Sequence, residues 1–151
     1  MQLPYSLVRD IAATNEMNWI GEKTMMEYET KSIKNIALAG HAGSGKTTLL
    51  EALLYQGGVT ERFGSVAEGN TISDYTAEEL KRKSSVYMTA ASIRNGDQKI
   101  NLLDTPGLFD FAGEMVEGIS ASNCVMITVS GKSGVKVGTH KAYDAASKMG
   151  K

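Results

Sequence analysis

The sequence predicts an α/β domain: a mostly parallel sheet with one antiparallel hairpin, covered by helices. Three observations carry that expectation. The apolar run Ile36-Ala37-Leu38-Ala39 leads into a glycine-rich segment, Gly40-His41-Ala42-Gly43-Ser44-Gly45-Lys46-Thr47, and the helix-type run Thr48-Leu49-Leu50-Glu51-Ala52-Leu53-Leu54-Tyr55 follows it. From residue 33 onward, strand-type and helix-type segments alternate, the pattern of a parallel sheet with both faces covered. Asn95-Gly96 between two strand-type runs is a hairpin signal.

The elements follow in order. A strand at about 35–40 feeds the glycine-rich loop, and a helix occupies about 46–56 until Gly57-Gly58 stops it. Residues 59–84 are polar and irregular, with one helical turn around Ala77–Arg82, and a connection of that length in a compact domain is functional or mobile. Ser85–Arg94 reads as a strand and Lys99–Leu103 as its antiparallel return, which Asp104-Thr105-Pro106-Gly107 breaks. Ala112–Ala121 is helical, weakened by Gly113 and Gly118. Asn123–Ser130 is a nearly continuous apolar strand, expected at a buried central position. A helix over Gly138–Met149 comes last.

Residues 1–32 read as a separate N-terminal extension or mis-assigned leader. Pro4, Asn15, Asn18 and Trp19 fall there without a sustained period, and four of the eight methionines (Met1, Met17, Met25, Met26) lie in the first 26 residues. Met25 or Met26 is then the natural start; the rival reading is a short helix around Ser6–Ala13 docked on the domain. Residues 33–151 form the domain proper.

A chain of 151 residues with 42% apolar and 22% charged residues has the composition of one ordinary globular domain. A net charge of −1 gives no support to a protein held mainly by nucleic-acid phosphates, and no direct DNA binding is expected. No apolar run approaches the roughly 18 residues a membrane span needs, and no secretory pattern opens the chain. The lone Cys124 excludes an internal disulfide and fits a reducing compartment, with the cytoplasm as default; inside an apolar run, it reads as a small buried hydrophobe.

Gly40–Thr47 matches the phosphate-binding pattern G-x-x-x-x-G-K-[ST] in full, which gives the α/β domain a P-loop NTPase fold. Glycines let the backbone curl until successive N–H groups face phosphate oxygens, and the following helix adds the positive end of its dipole. His41, Ala42, Gly43, Ser44, Gly45, Lys46, Thr47 and Thr48 are the candidate nucleotide-binding residues. Lys46 reaches the β- and γ-phosphates and the Thr47 hydroxyl ligates Mg²⁺. His41 either touches a phosphate or a switch residue or is a spacer. Asp104-Thr105-Pro106-Gly107 follows an apolar strand at its C-terminal end, where open α/β sheets bind ligands. Asp104 there holds Mg²⁺, directly or through water, and the Gly107 N–H approaches the γ-phosphate because no Cβ intervenes. Together the two motifs favour a GTPase over a P-loop ATPase or kinase.

At these residues the chain resembles the G domain of translational GTPases, on the elongation factor G-like branch. Asn35–Thr48 resembles the start of that domain. Glu68–Tyr75 and Glu78–Lys83 resemble the first switch of elongation factor G, Ile100–Phe111 the second, and Gly131–Gly138 the segment after the next strand. The resemblance covers about residues 33–151. It implies GTP cleaved to GDP with Mg²⁺, Lys46 and Gly107 in the catalytic roles, and the ribosome as partner. By position, Ser85 takes the place of the Mg²⁺-binding switch threonine, with Lys83-Ser84 where a glycine and an apolar residue are usual. Leu108 stands where the family places its water-orienting histidine, and a leucine neither orients water nor accepts its proton, which implies slow hydrolysis. The guanine-reading N-K-x-D and the later S-A-type motif do not occur among the 151 residues. The resemblance therefore implies a G domain truncated before its last strands, with an exposed strand edge and little selectivity for GTP over ATP. Glu78-Glu79 with Lys81-Arg82-Lys83 is either a solvated face or a ribosome contact. Asp110 is a candidate for orienting a water, and His140 reads as solvated surface. A non-catalytic nucleotide switch or ribosome-binding module is the alternative function.

Overall fold

The computed structural model describes residues 27–151. The reading of the first 26 residues as a leader or docked helix lies outside them. A short 3₁₀ turn, Thr30–Ser32, precedes strand β1 (Ile33–Gly40), which runs into the glycine-rich loop and helix α1 (Lys46–Gln56). Helix α2 (Ala77–Arg82) interrupts the long connection to β2 (Thr89–Asn95) and β3 (Gln98–Asp104). A 3₁₀ turn at Phe109–Phe111, helix α3 (Ala112–Ala121), strand β4 (Cys124–Thr128) and helix α4 (Val137–Lys148) follow.

The four strands lie in the order β2-β3-β1-β4. β1 is parallel to both β3 and β4, while β2 and β3 form the expected antiparallel hairpin, with Asn95 paired to Gln98 across the turn. From β1 the chain moves to β3 on one side, then crosses to β4 on the other. The crevice beyond the C-terminal end of β1 is thus the topological switch point at which such sheets bind ligands.

The period of two along β1 sorts the core into two layers. Ala37 and Ala39 face α3 and α4, where they pack with Leu103, Met115, Ile119, Ala142 and Ala146. Leu38 faces α1 with Leu50, Leu54 and Leu102. Each of these buried leucines contributes about 1.5–3 kcal/mol of transfer free energy. Among the described residues no helix is long and apolar enough to cross a membrane.

Two expectations require correction. Among the described residues the apolar strand does not lie in the middle of the sheet: β4 pairs only with β1, in keeping with the exposed strand edge the resemblance implies, and its Cys124 and Met126 are exposed. Their register partners are Ile36 and Leu38, so they lie on the α1 side of the sheet, where α1 packs over β1 and β3. Val125 and Ile127, on the other face, are partly buried against the α3–α4 layer. Cys124 is therefore an exposed free thiol, not a buried hydrophobe. The β2 ladder also begins later than the sequence suggests, at Thr89, because the amides of Val86 and Tyr87 bind the Glu79 carboxylate and that of Met88 binds Glu114.

Candidate nucleotide phosphate site

The glycine-rich loop closes the switch-point crevice, and its shape follows from its glycines. Gly43 (φ +72°) and Gly45 (φ +95°) adopt left-handed conformations that a side chain would strain. Gly45 is the N-cap of α1, so the loop delivers the chain into the helix with its first amides facing the crevice. The cavity there has a volume of about 200 Å³, and its walls include Ala42, Gly43, Gly45, Thr48 and, from the far side, Asp74.

Lys46 is buried at the cavity floor, with Nζ donating to the carbonyls of Gly40 (3.3 Å) and His41 (3.1 Å). Burial lowers its pKa, opposed by the charges of Asp104 and Asp74. Next along α1, the Thr47 hydroxyl donates to Asp104 Oδ2 (2.7 Å) and lies 3.2 Å from Ser85 Oγ. Three side chains from α1, the end of β3 and the long 59–88 connection thus meet at one point, the three that sequence reasoning nominated as metal ligands.

Gly107 packs against the loop so tightly that a Cβ would lie 2.5 Å from Lys46 Nζ and 2.6 Å from the Ala42 nitrogen. Only glycine fits the turn after Asp104 onto the glycine-rich loop at this spacing.

The charge at the site is unbalanced. Among the described residues the buried charged side chains beside the cavity are Lys46, Asp74 and Asp104, one ammonium against two carboxylates, while Glu51 and Glu79 are buried outside it. Both oxygens of Asp74 and Oδ1 of Asp104 are buried without a direct hydrogen-bond donor. Burial raises the Asp104 pKa to about 6; Thr47 and Lys46 pull it back, and Asp74 pushes it up. Burial likewise raises Asp74, helped by Glu79 and Glu51 and opposed by Ser85 and Lys46. Buried oxygens of this kind next to two hydroxyls are a hard donor set suited to Mg²⁺.

Other candidates lie apart from the cavity. The His41 ring turns away from it to pack near Phe109 (centroids 6.0 Å apart) and Gly138; only its carbonyl serves the site, through Lys46. Ser44 Oγ bonds Thr128 Oγ1 at 2.6 Å, tying the loop to β4. Leu108 lines a small cleft with Met115 and Phe109 on the far side of Gly107. Asp110 and His140 are exposed.

Sequence reasoning missed two residues. Asp74 sits in a polar stretch without periodicity, and nothing local marks it. Glu79, read as part of a solvated charge run, is 1% exposed, whereas its neighbour Glu78 is exposed and pairs with Arg82. The spacing Thr76-x-x-Glu79 is a capping box and was the available signal.

Comparisons with known proteins agree with this architecture. An elongation factor G-like protein of Mycobacterium tuberculosis is 39% identical over 118 residues, 78% of this chain and 16% of the relative. The mitochondrial ribosome-releasing factor 2 of Schizosaccharomyces pombe is 37% identical over 119 residues, 79% of this chain and 15% of its own length. A solved structure from Thermus thermophilus superposes with a TM-score of 0.75 at 44% identity, over 78% of this chain and 18% of that one. A bacterial selenocysteine-specific elongation factor gives a TM-score of 0.62 at 25% identity, over 81% of this chain and 18% of the other. The chain therefore spans less than a fifth of the length of these relatives. Residues 31–151 match the family described as the elongation factor Tu GTP binding domain, and the chain belongs to that family of translational GTPase domains.

Proposed function

We propose that this chain is the nucleotide-binding part of an elongation factor G-like GTPase that acts on the ribosome, and that residues 33–151 hold GTP or GDP by its phosphates together with Mg²⁺. The observation that carries this reading is the meeting of Thr47, Asp104 and Ser85 beside a glycine-shaped loop with a buried lysine.

In this reading the loop amides of Gly43–Thr48 and the Lys46 ammonium bind the phosphate oxygens and stabilise the charge that develops as the terminal phosphoryl group transfers. Thr47 and Ser85 ligate the cation, while Asp104 and Asp74 hold it through their free oxygens or bound water. Mg²⁺ supplies neutralisation of phosphate charge when bound. The Gly107 amide reports on the γ-phosphate. Residues 59–88 and 105–114 are the parts whose shape depends on that phosphate. The ribosome enters through the relatives' names, and a ribosome-containing compartment such as the cytoplasm follows from it.

The test is a nucleotide competition titration. GTP and GDP are expected to bind, with Mg²⁺ strengthening the triphosphate. Absence of binding by any nucleotide overturns the reading.

Leu108 favours a second reading, a switch that binds without turnover. Its apolar side chain occupies the position after Gly107 and faces a small, largely apolar cleft, so it supplies no group for a water. Replacing it, Leu108→His, is expected to raise single-turnover GTP cleavage by about a hundredfold. Rapid cleavage by the unmodified protein would remove this second reading.

A further inference from the structure

Two buried carboxylates outside the phosphate cavity aim at backbone amides of the same connection. Glu79 Oε1 accepts the N–H groups of Val86 (3.1 Å) and Tyr87 (3.2 Å), and its Oε2 accepts the Thr76 N–H (3.1 Å) and hydroxyl (2.7 Å). One side chain thereby ties the start of α2 to the segment after Ser85. Glu51, on α1, accepts the Ile72 N–H through Oε1 at 2.6 Å. The Gly64 backbone crosses so close to Glu51 that a Cβ there would lie 2.1 Å from Oε2. Ile72 stands two residues before Asp74, and Val86 directly after Ser85. The two carboxylates bracket the two polar groups that the connection brings to the cavity.

We propose that Glu79 and Glu51 are positioning residues, buried carboxylate posts that hold residues 59–88 in the shape presenting Asp74 and Ser85 to the cation position. This rests on the reading of that position given above. Hydrogen bonds to an ionised acceptor are about twice as strong as neutral ones, and four donors on one carboxylate leave none of these amides orphaned. Burial works to raise the Glu79 pKa, but the bonds from Thr76, Val86 and Tyr87 outweigh it and hold the group below its usual value, so the post stays charged. The connection has little regular structure beyond α2, which makes such side-chain posts its main anchors.

The test compares Glu79→Met, which keeps length and removes every acceptor, with Glu79→Gln, which keeps part of them. In the nucleotide-free chain the Val86 and Tyr87 amides are expected to exchange hydrogen at least about tenfold faster in Glu79→Met, with Glu79→Gln between it and wild type and the β1 amides unchanged. Glu51→Met is expected to do the same at Ile72. The Mg²⁺ concentration that half-saturates tight binding of a non-hydrolysable GTP analogue is expected to rise about tenfold in Glu79→Met and by less in Glu79→Gln, while Mg²⁺-free GDP affinity, which the glycine loop supplies, stays within about twofold. Unchanged exchange in folded Glu79→Met overturns the posts. Faster exchange with an unchanged Mg²⁺ requirement overturns their link to Asp74 and Ser85. If circular dichroism shows Glu79→Met unfolded, Glu79→Gln decides by the same measurements. A wild-type chain that binds no nucleotide defeats the phosphate reading and the cation half of the proposal with it, and amide exchange still decides whether the posts hold the connection.

Discussion

The glycine-rich loop and the connection 59–88 face the same cavity but are shaped by different physics. The loop is the five residues 41–45 between β1 and α1, and its curvature is written into glycines at positive φ. The connection 59–88 has one short helix, and its course is set by side-chain contacts from outside it, Glu51 on Ile72, Thr47 on Ser85 and Thr89 donating to the Ser73 carbonyl, and by Glu79 within it on Val86 and Tyr87. A locally determined loop is pre-organised whether or not a ligand is present. A segment held by a few long-range polar contacts changes shape when one of those contacts finds a better partner, as Ser85 would with a cation. In the proposed function, that difference would separate a fixed anion cup from a responsive sensor within one pocket.

Substitutions that strike one side and spare the other test this division. Lys46→Met removes the buried ammonium from the cup and leaves Asp104 and Asp74 without their counter-charge. GTP and GDP affinity is expected to fall by about a hundredfold or more, measured by equilibrium titration, with the switch contacts intact. Gly107→Ala places a methyl 2.5 Å from Lys46 Nζ and 2.6 Å from the Ala42 nitrogen, so the second switch must lift off the loop. A loss of about tenfold in GTP analogue affinity, and a smaller loss for GDP, is the expected result.

Asp104 gives a pH-dependent test. Its folded-state value of about 6 lies above its ordinary 3.8, so between these values the folded chain holds a proton that the unfolded chain has lost. Stability of the metal-free chain therefore falls as pH rises through that window. Asp104→Asn is expected to abolish the fall and to be more stable than wild type above pH 6, by at most about 3 kcal/mol in denaturant titration. Mg²⁺ competes with the same proton, so its binding to wild type weakens about tenfold per pH unit below 6.

The smallest effect belongs to Lys83. It is the non-glycine with positive φ (54°) among the described residues, at the C-cap of α2. Lys83→Gly relieves roughly 1 kcal/mol of strain but adds freedom to the unfolded chain and loses the bond to the Ala67 carbonyl, so a net change of a few tenths of a kcal/mol is expected by thermal melting.

The same division explains how much was legible in the sequence. Gly40–Thr47, the Asn95-Gly96 turn and the helix at Ala77–Arg82 follow from short-range rules about glycine, caps and periodicity and stand where the sequence puts them, while β3 runs one residue past the expected Leu103, to Asp104. Asp74, in an irregular segment, and Glu79, in a short helix with charged neighbours, depend on which side turns inward, a tertiary property that local composition hides. β4 misleads for the opposite reason: hydrophobicity is a property of each residue, whereas cover depends on what lies beside the strand, and Met126 is 41% exposed although its run looks buried.

The most direct measurement is the Mg²⁺ requirement for binding a non-hydrolysable GTP analogue in wild type, Thr47→Val, Ser85→Ala and the double variant. If the two hydroxyls share one cation, each single change raises the requirement about tenfold and the double change costs clearly less or more than the sum, because contacting partners couple. A requirement that neither substitution moves would show that the cation, if it binds, does so elsewhere, and the proposed site would be wrong.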